Sequence, residues 1–117
     1  MTDLHDLAAH LAALPIRNIA HESDLQAAIA RHLNLLGIKH EREVVVAGGR
    51  IDFRVGRVGI EVKVKGSSTA LLRQVSAYTD DPSLDAILVI TTKFRHRLPD
   101  ELGAKPIHLL CLGGSLL

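Results

Sequence analysis

Residues 50–65 read RIDFRVGRVGIEVKVK, and this stretch decides the fold. Two runs of alternating side chains flank Gly56-Arg57, the Gly-X pattern of a two-residue type II′ hairpin turn. A turn there pairs Val55 with Val58, Arg54 with Gly59, Phe53 with Ile60 and Asp52 with Glu61. Successive side chains of a strand face opposite ways. Ile51, Phe53 and Val55 therefore share a core face with Val58, Ile60, Val62 and Val64, and the other face carries Arg50, Asp52 and Arg54 opposite Glu61, Lys63 and Lys65. Two carboxylates directly across a strand pair repel and weaken it. A divalent cation held between them reverses that sign, because hard ions such as Mg²⁺ take oxygen ligands from one or two carboxylates. Lys63, two residues after Glu61, lies on the same face, beside whatever the cation holds. The hairpin reads as a site.

The rest of the chain supplies a core around it. Its 117 residues suit a single domain, divided as a lead-in over 1–20, a core over 21–92 and a C-terminal turn and strand over 93–117. Apolar residues make up 47% with no Trp, so Leu, Ile, Val and Ala build the interior. The lone Cys111 lies in an apolar run and has no partner for an internal disulfide, which fits a reducing compartment. No apolar run reaches the length of a membrane span, and Asp3 and Asp6 stand where a signal peptide is basic. The cytoplasm is the expected location. A formal charge of +1 does not by itself mark a nucleic-acid binder, so local charge has to be read instead.

Outward from the hairpin, EREVVVA over 41–47 predicts a strand leading into Gly48-Gly49. Before it, Leu25, Ile29, Leu33 and Leu36 form the stripe of a helix that starts near His21, with a Ser23–Gln26 capping box or an earlier start after Asn18, and ends at Gly37. Glu22 and Asp24 stand in its first turn, where the helix dipole favours a carboxylate. Leu4, Leu7, Ala8, Leu11 and Leu14 mark a first helix capped by Thr2 or Asp3 and ended by Pro15. Beyond the hairpin, Gly66-Ser67-Ser68 opens a helix over about 69–79, packed through Leu71, Leu72, Val75 and Tyr78. DAILVITT over 85–92 has the continuous apolar character of a strand buried on both faces. The basic segment Lys93-Phe94-Arg95-His96-Arg97 follows, then a helical turn at 99–102 and a last strand over 106–112. The histidines show no metal-ligand spacing. The expected architecture is α/β, a mixed central sheet flanked by helices.

Asp52, followed after eight residues by Glu61-Val62-Lys63, resembles the D…ExK core of the PD-(D/E)XK nuclease superfamily. Gln74-Val75-Ser76-Ala77-Tyr78 is similar to the QxxxY motif of its exonuclease and CRISPR-associated branches. These motifs fall in order over about residues 20–92, on an α-β-β-β-α-β series like the restriction-endonuclease-like core of that superfamily. The departure is Ile51, where the pattern has proline. The resemblance implies that Asp52 and Glu61 hold Mg²⁺ or Mn²⁺, with the Val62 backbone carbonyl as a further ligand. It implies that Lys63 orients or deprotonates the attacking water or neutralises the phosphate, and that Gln74 and Tyr78 hold the lysine and the DNA backbone. It also implies a further acid from the first core helix. Glu22 fits that place, with Glu41 and Glu43 on the neighbouring strand as rivals. Arg50, Arg54 and Lys65 share the acidic face and are expected phosphate contacts, and Lys93, Arg95 and Arg97 are candidates for the same role.

The expected activity is therefore metal-dependent hydrolysis of DNA phosphodiesters. Small stand-alone superfamily members resemble Holliday junction resolvases, so an endonuclease selective for branched or junction DNA leads. It would act as a homodimer, with the apolar run His108–Leu112 and Leu116-Leu117 as a candidate contact. An exonuclease, or a nuclease subunit of a larger repair, defence or phage complex, is the alternative that QxxxY favours. A non-catalytic DNA-binding or assembly module is the alternative of another class.

Overall fold

A computed structural model describes residues 3–16, 19–93 and 95–113. Thr2, Asn18, Phe94 and Leu116-Leu117, singled out above, lie outside them. The central hairpin consists of β2 (Gly49–Val55) and β3 (Val58–Lys63), antiparallel with Phe53, Arg54 and Val55 opposite Ile60, Gly59 and Val58. Gly56 has φ +60 while Arg57 stays at negative φ, the sign pattern of a II′ turn. β1 (Glu41–Val46) pairs antiparallel with β2 on one side of the hairpin, and β4 (Ala86–Thr91) pairs parallel with β3 on the other. With β5 (Glu101–Leu102) and β6 (Lys105–Cys111) the sheet has six strands in the order β1-β2-β3-β4-β6-β5. α1 (Leu4–Ala12) and α2 (Glu22–Leu35) cover one face, and α3 (Ser68–Tyr78) covers the other. This is a mixed α/β fold with three helices. No helix among the described residues is long and apolar enough to cross a membrane.

Local chemistry starts each helix. The Asp3 carboxylate accepts the Asp6 N–H at 2.8 Å, and the Ser67 hydroxyl accepts the Ala70 N–H at 3.1 Å, each satisfying a donor that the helix leaves unpaired. α2 is capped differently from the sequence expectation. Asp24, not the Ser23–Gln26 pair, reaches back to the N–H groups of His21 and Ala20 at 3.0 and 3.1 Å, and Gln26 turns inward. Gly37, at φ +70, ends α2 as expected, and the Ile38 N–H bonds to Leu33 O at 2.9 Å. Leu36 and Leu72, expected in the buried stripes, are 43% and 38% exposed. Leu72 lies one position past Leu71, which fills the stripe, and Leu36 is the C-cap residue at the end of α2. β4 is buried along its whole length. Leu88 and Ile90 pack toward α1 and α2, Ile87 and Val89 toward α3.

Two further expectations are corrected. Residues 101–102 pair with β6 as a strand instead of forming a helical turn, because Gly103 and Ala104, at φ +56 and +63, reverse the chain in a two-residue turn. The apolar run of β6 pairs with β4 from Ile107 to Cys111, while β5 covers only Lys105 and Pro106, and Leu109 and Leu110, half-buried, pack onto the two cores. Ile51 does not share the face of Phe53. Phe53, Val55, Val58, Ile60, Val62 and Val64 pack with α1 and α2, whereas Ile51 packs with α3. The neighbouring strand switches faces at the same level. The Arg42 guanidinium lies 5.1 Å from the Phe53 ring centroid, yet Val44 joins the α3 side. Between them Glu43 has φ +52, and the rung that would join it to Asp52 is missing from a ladder otherwise continuous from Glu41–Arg54 to Val46–Gly49. The β1–β2 ribbon twists sharply at that level. Gly59 makes room for the consequence, since a Cβ there would stand 2.4 Å from Ile51 Cδ1.

Candidate active site

The twist decides where Asp52 points. The β2–β3 ladder ends at Phe53–Ile60, and at the next position the Asp52 side chain takes over from the backbone. Its Oδ2 accepts the Val62 N–H at 2.7 Å, and its Oδ1 accepts from Gln26 Nε2 at 3.2 Å. The strands thus part around a fixed carboxylate. Glu61, the next residue of β3 after the last rung, is 4% exposed, and its Oε1 has no hydrogen-bond partner among the described residues. Burying a carboxylate without a partner disfavours its charged form. Burial, reinforced by the neighbouring Asp52 charge, pushes the Glu61 carboxyl up to about 8. Asp52 is raised too, chiefly by burial, with the charge of Glu22 adding and Lys63 opposing.

α2 and α3 complete the surroundings from opposite faces. Glu22 is not only an N-terminal acid of α2. Its Oε1 accepts the Val64 N–H at 3.0 Å, just past the end of β3, which brings a third carboxylate to the same end of the hairpin. Of its rivals, Glu41 is held by Arg54 at 2.9 Å and Glu43 lies 3.5 Å from Arg50. From α3, Gln74 Nε2 donates to the Tyr78 hydroxyl at 3.0 Å, and that hydroxyl donates to Arg50 O at 3.1 Å. Tyr78 stands beside Glu61 and its hydroxyl opposes the rise of that carboxyl, while Glu61 Oε1 itself has no hydrogen-bond partner among the described residues. Tyr78 is buried, and its hydroxyl is raised by that burial and by the Glu61 charge. It braces the site from beneath.

Lys63 lines an open groove of about 400 Å³ with Gly48, Ala70, Arg73, Gln74 and Ala77. Gly48, at φ +84, lets the β1–β2 turn touch α3, because a Cβ there would stand 2.4 Å from Ala77 Cβ. The structure therefore gathers Asp52, Glu61, Glu22, Lys63 and Gln74 at one end of the hairpin. It sets Arg54 apart, bound to Glu41 through two nitrogens and to Ser83. Lys65, Lys93, Arg95 and Arg97 follow the carboxyl ends of β3 and β4. Sequence reasoning missed Gln26, Arg73 and His96. Gln26 and Arg73 carry helical spacing that permits these contacts but does not name them. Buried His96 gave no signal at all.

Among the described residues, no group of three or more His, Cys, Asp and Glu side chains is placed to hold a metal ion on its own. Mg²⁺ does not require one, since it keeps several waters and uses one or two carboxylates together with substrate phosphates. An unpartnered buried carboxylate oxygen beside a second, oriented carboxylate fits such an ion. No family model matches this chain, and no curated protein or solved structure is significantly similar to it.

Proposed function

We propose that this protein is a Mg²⁺- or Mn²⁺-dependent deoxyribonuclease of the PD-(D/E)XK kind, an endonuclease that hydrolyses phosphodiesters in branched or junction DNA. The observation that carries this reading is the orphaned Oε1 of Glu61, buried beside Asp52 and followed by Lys63 at a groove rim. A purely structural face does not keep an unpaired buried acid, which costs about 1–3 kcal/mol or more. The series α2-β1-β2-β3-α3-β4 also agrees with the core of that superfamily.

Asp52 and Glu61, with the Val62 carbonyl and Glu22 behind them, would hold the cation. When bound, a divalent ion supplies a water of lowered pKa and neutralises charge developing on the scissile phosphate. The Val62 N–H and Gln26 fix both oxygens of Asp52, so that carboxylate needs little reorganisation. Lys63 projects into the groove, where its ammonium orients the attacking water or offsets phosphate charge. Gln74, through Tyr78 and Arg50 O, ties α3 to the strand that carries Asp52. This Gln74–Tyr78 contact favours the second reading, an exonuclease or a nuclease subunit of a larger complex.

The test is a cleavage assay on labelled single strand, duplex, flap and four-way junction with Mg²⁺, Mn²⁺ or EDTA. Metal-dependent cutting that Asp52→Ala abolishes supports the site, and the preferred substrate separates junction cutting from end processing. DNA binding with no cutting under Mn²⁺ points instead to a non-catalytic binding module. A homodimer would bring two sites to the two strands of a junction, and a monomer by light scattering removes that part.

A further inference from the structure

The cations of this chain divide by their partners. Arg50, Arg54 and Arg57 are paired with Glu43, Glu41 and Asp85. Lys65, Arg73, Lys93 and Arg95 make no ion pair among the described residues. Lys65, Lys93 and Arg95 belong to segments at the N-terminal end of α3, and Arg73 lies at its middle.

The segment after β4 is built into place. Thr91 and His96 are 0% and 1% exposed. His96 Nε2 lies 3.0 Å from Gly66 O, and His96 Nδ1 lies 2.6 Å from Thr91 Oγ1. A carbonyl only accepts, so Nε2 carries a proton toward Gly66 O, while Nδ1 shares a second hydrogen bond with the Thr91 hydroxyl. Thr91 Oγ1 in turn accepts the Lys93 N–H at 3.0 Å. Ser68 Oγ donates to Arg95 O at 3.2 Å and accepts the Arg97 N–H at 2.8 Å. Side chains thus tie this basic segment to the end of β4, to the turn after β3 and to the first turn of α3. A loop kept only for solubility has no need of a buried, doubly bonded imidazole, and satisfied buried networks of this kind rigidify what they hold. Farther along α3, Ala70, Arg73, Gln74 and Ala77 line the groove opposite Lys63. The span from Ala70 to Ala77 is about 10 Å at 1.5 Å per residue, room for roughly three nucleotides at 3.4 Å each.

We propose that a DNA strand lies along α3, from Arg95 on the pinned segment, past Lys63, to Arg73 in the groove, so that the two arginines hold phosphates on either side of the scissile one. His96 is the positioning residue that fixes Arg95. The proposal rests on the nuclease reading of the carboxylate pair and extends it to the path of the substrate.

It is tested by binding of a fluorescein-labelled duplex and its single strand in EDTA across a range of salt. Arg73→Ala and Arg95→Ala should each make the slope of log K against log salt shallower by about 0.9 for duplex and about 0.7 for single strand. Arg31→Ala, an exposed change on α2, should leave the slope as it is. His96→Ala leaves both arginines in the chain, yet should reproduce the Arg95→Ala slope while the contribution of Arg73 persists. The double variant His96→Ala/Arg95→Ala should bind no more weakly than His96→Ala alone. If His96→Ala does not fold, Thr91→Val removes the hydroxyl that holds His96 Nδ1 and serves in its place. Wild-type slopes in both arginine variants overturn the proposal, as does a His96 effect that also removes the contribution of Arg73. Cutting that depends on Glu61 alongside unchanged slopes leaves the nuclease reading standing without this path. Altered slopes with no cutting under Mn²⁺ keep the path and remove the nuclease.

Discussion

The two ends of the β2–β3 hairpin are built from the same kinds of residue and treated in opposite ways. At the turn end, Arg54 is clasped by Glu41 and Ser83, and Arg57 bonds to Asp85 and to Pro82 O. Backbone donors there are used as well, with Asp85 N donating to Arg57 O at 2.7 Å. At the open end, among the described residues, Asp52 and Glu61 make no ion pair, the ladder is broken, and one carboxylate oxygen has no partner. Paired charges on an exposed surface contribute little either way. An unpaired buried acid costs stability and persists where something outside the polypeptide completes it. The contrast is the physical ground for placing the proposed site within a single supersecondary unit.

The largest expected effect separates the two ends by activity. Glu61→Gln should lower metal-dependent cleavage by 10³-fold or more, whereas Arg57→Ala at the turn end should leave it within about twofold; initial rates on a labelled duplex and junction check both. Comparable losses from the two variants would break the comparison.

Stability against pH should separate them next. The folded-state value of Glu61 is about 8 against an ordinary 4.5, so between those limits the folded protein holds a proton that the unfolded chain has released. The contribution of Glu61 is full below pH 4.5 and is lost as pH rises through about 8. Urea melts in EDTA should show stability falling across that window by roughly 3–5 kcal/mol, with the fall much reduced in Glu61→Gln, where only the raised Asp52 still contributes, and reversed by Mg²⁺. Asp81 and Asp85 are lowered by hydrogen bonds from Ser83 and Arg57. Their contributions are lost only as pH falls below the ordinary carboxylate range, so they leave this window clear.

Gly48→Ala should cost about 2–3 kcal/mol, combining a positive φ with a Cβ 2.4 Å from Ala77 Cβ. Because Gly48 lines the groove, the variant should lose DNA affinity as well, which thermal melts and binding on one preparation would show. The smallest effect is Arg54→Ala, a few tenths to about 1 kcal/mol. A change in DNA affinity beyond that would return Arg54 to the site side of the comparison.

Much of this division is visible in the amino acids. Alternation and Gly56-Arg57 specify the hairpin register from Val55–Val58 to Phe53–Ile60, which directs Asp52 and Glu61 to the same end of the hairpin, although the expected Asp52–Glu61 rung itself is not formed. Three features are hidden because they depend on partners distant in sequence. The switch of Ile51 to the other core follows from positive φ at Glu43, a residue type with no preference for it. Gln26 has the look of a capping residue until Asp24 takes that role and Asp52 comes within reach. His96 is one of several histidines until the end of β4 and the Gly66 turn enclose it. The Glu41–Arg54 pair was within reach, since a tight turn at Ala47-Gly48 sets those residues opposite one another. The β5–β6 turn at Gly103-Ala104 carried a hairpin signal of the same kind.

The most direct test of the account is calorimetric titration of Mn²⁺ into the pure protein without DNA, for wild type, Glu61→Gln and Arg57→Ala. The account predicts saturable binding by wild type and by Arg57→Ala, and its loss in Glu61→Gln with the fold intact by circular dichroism. Equal binding by wild type and Glu61→Gln, or none by either, would contradict it.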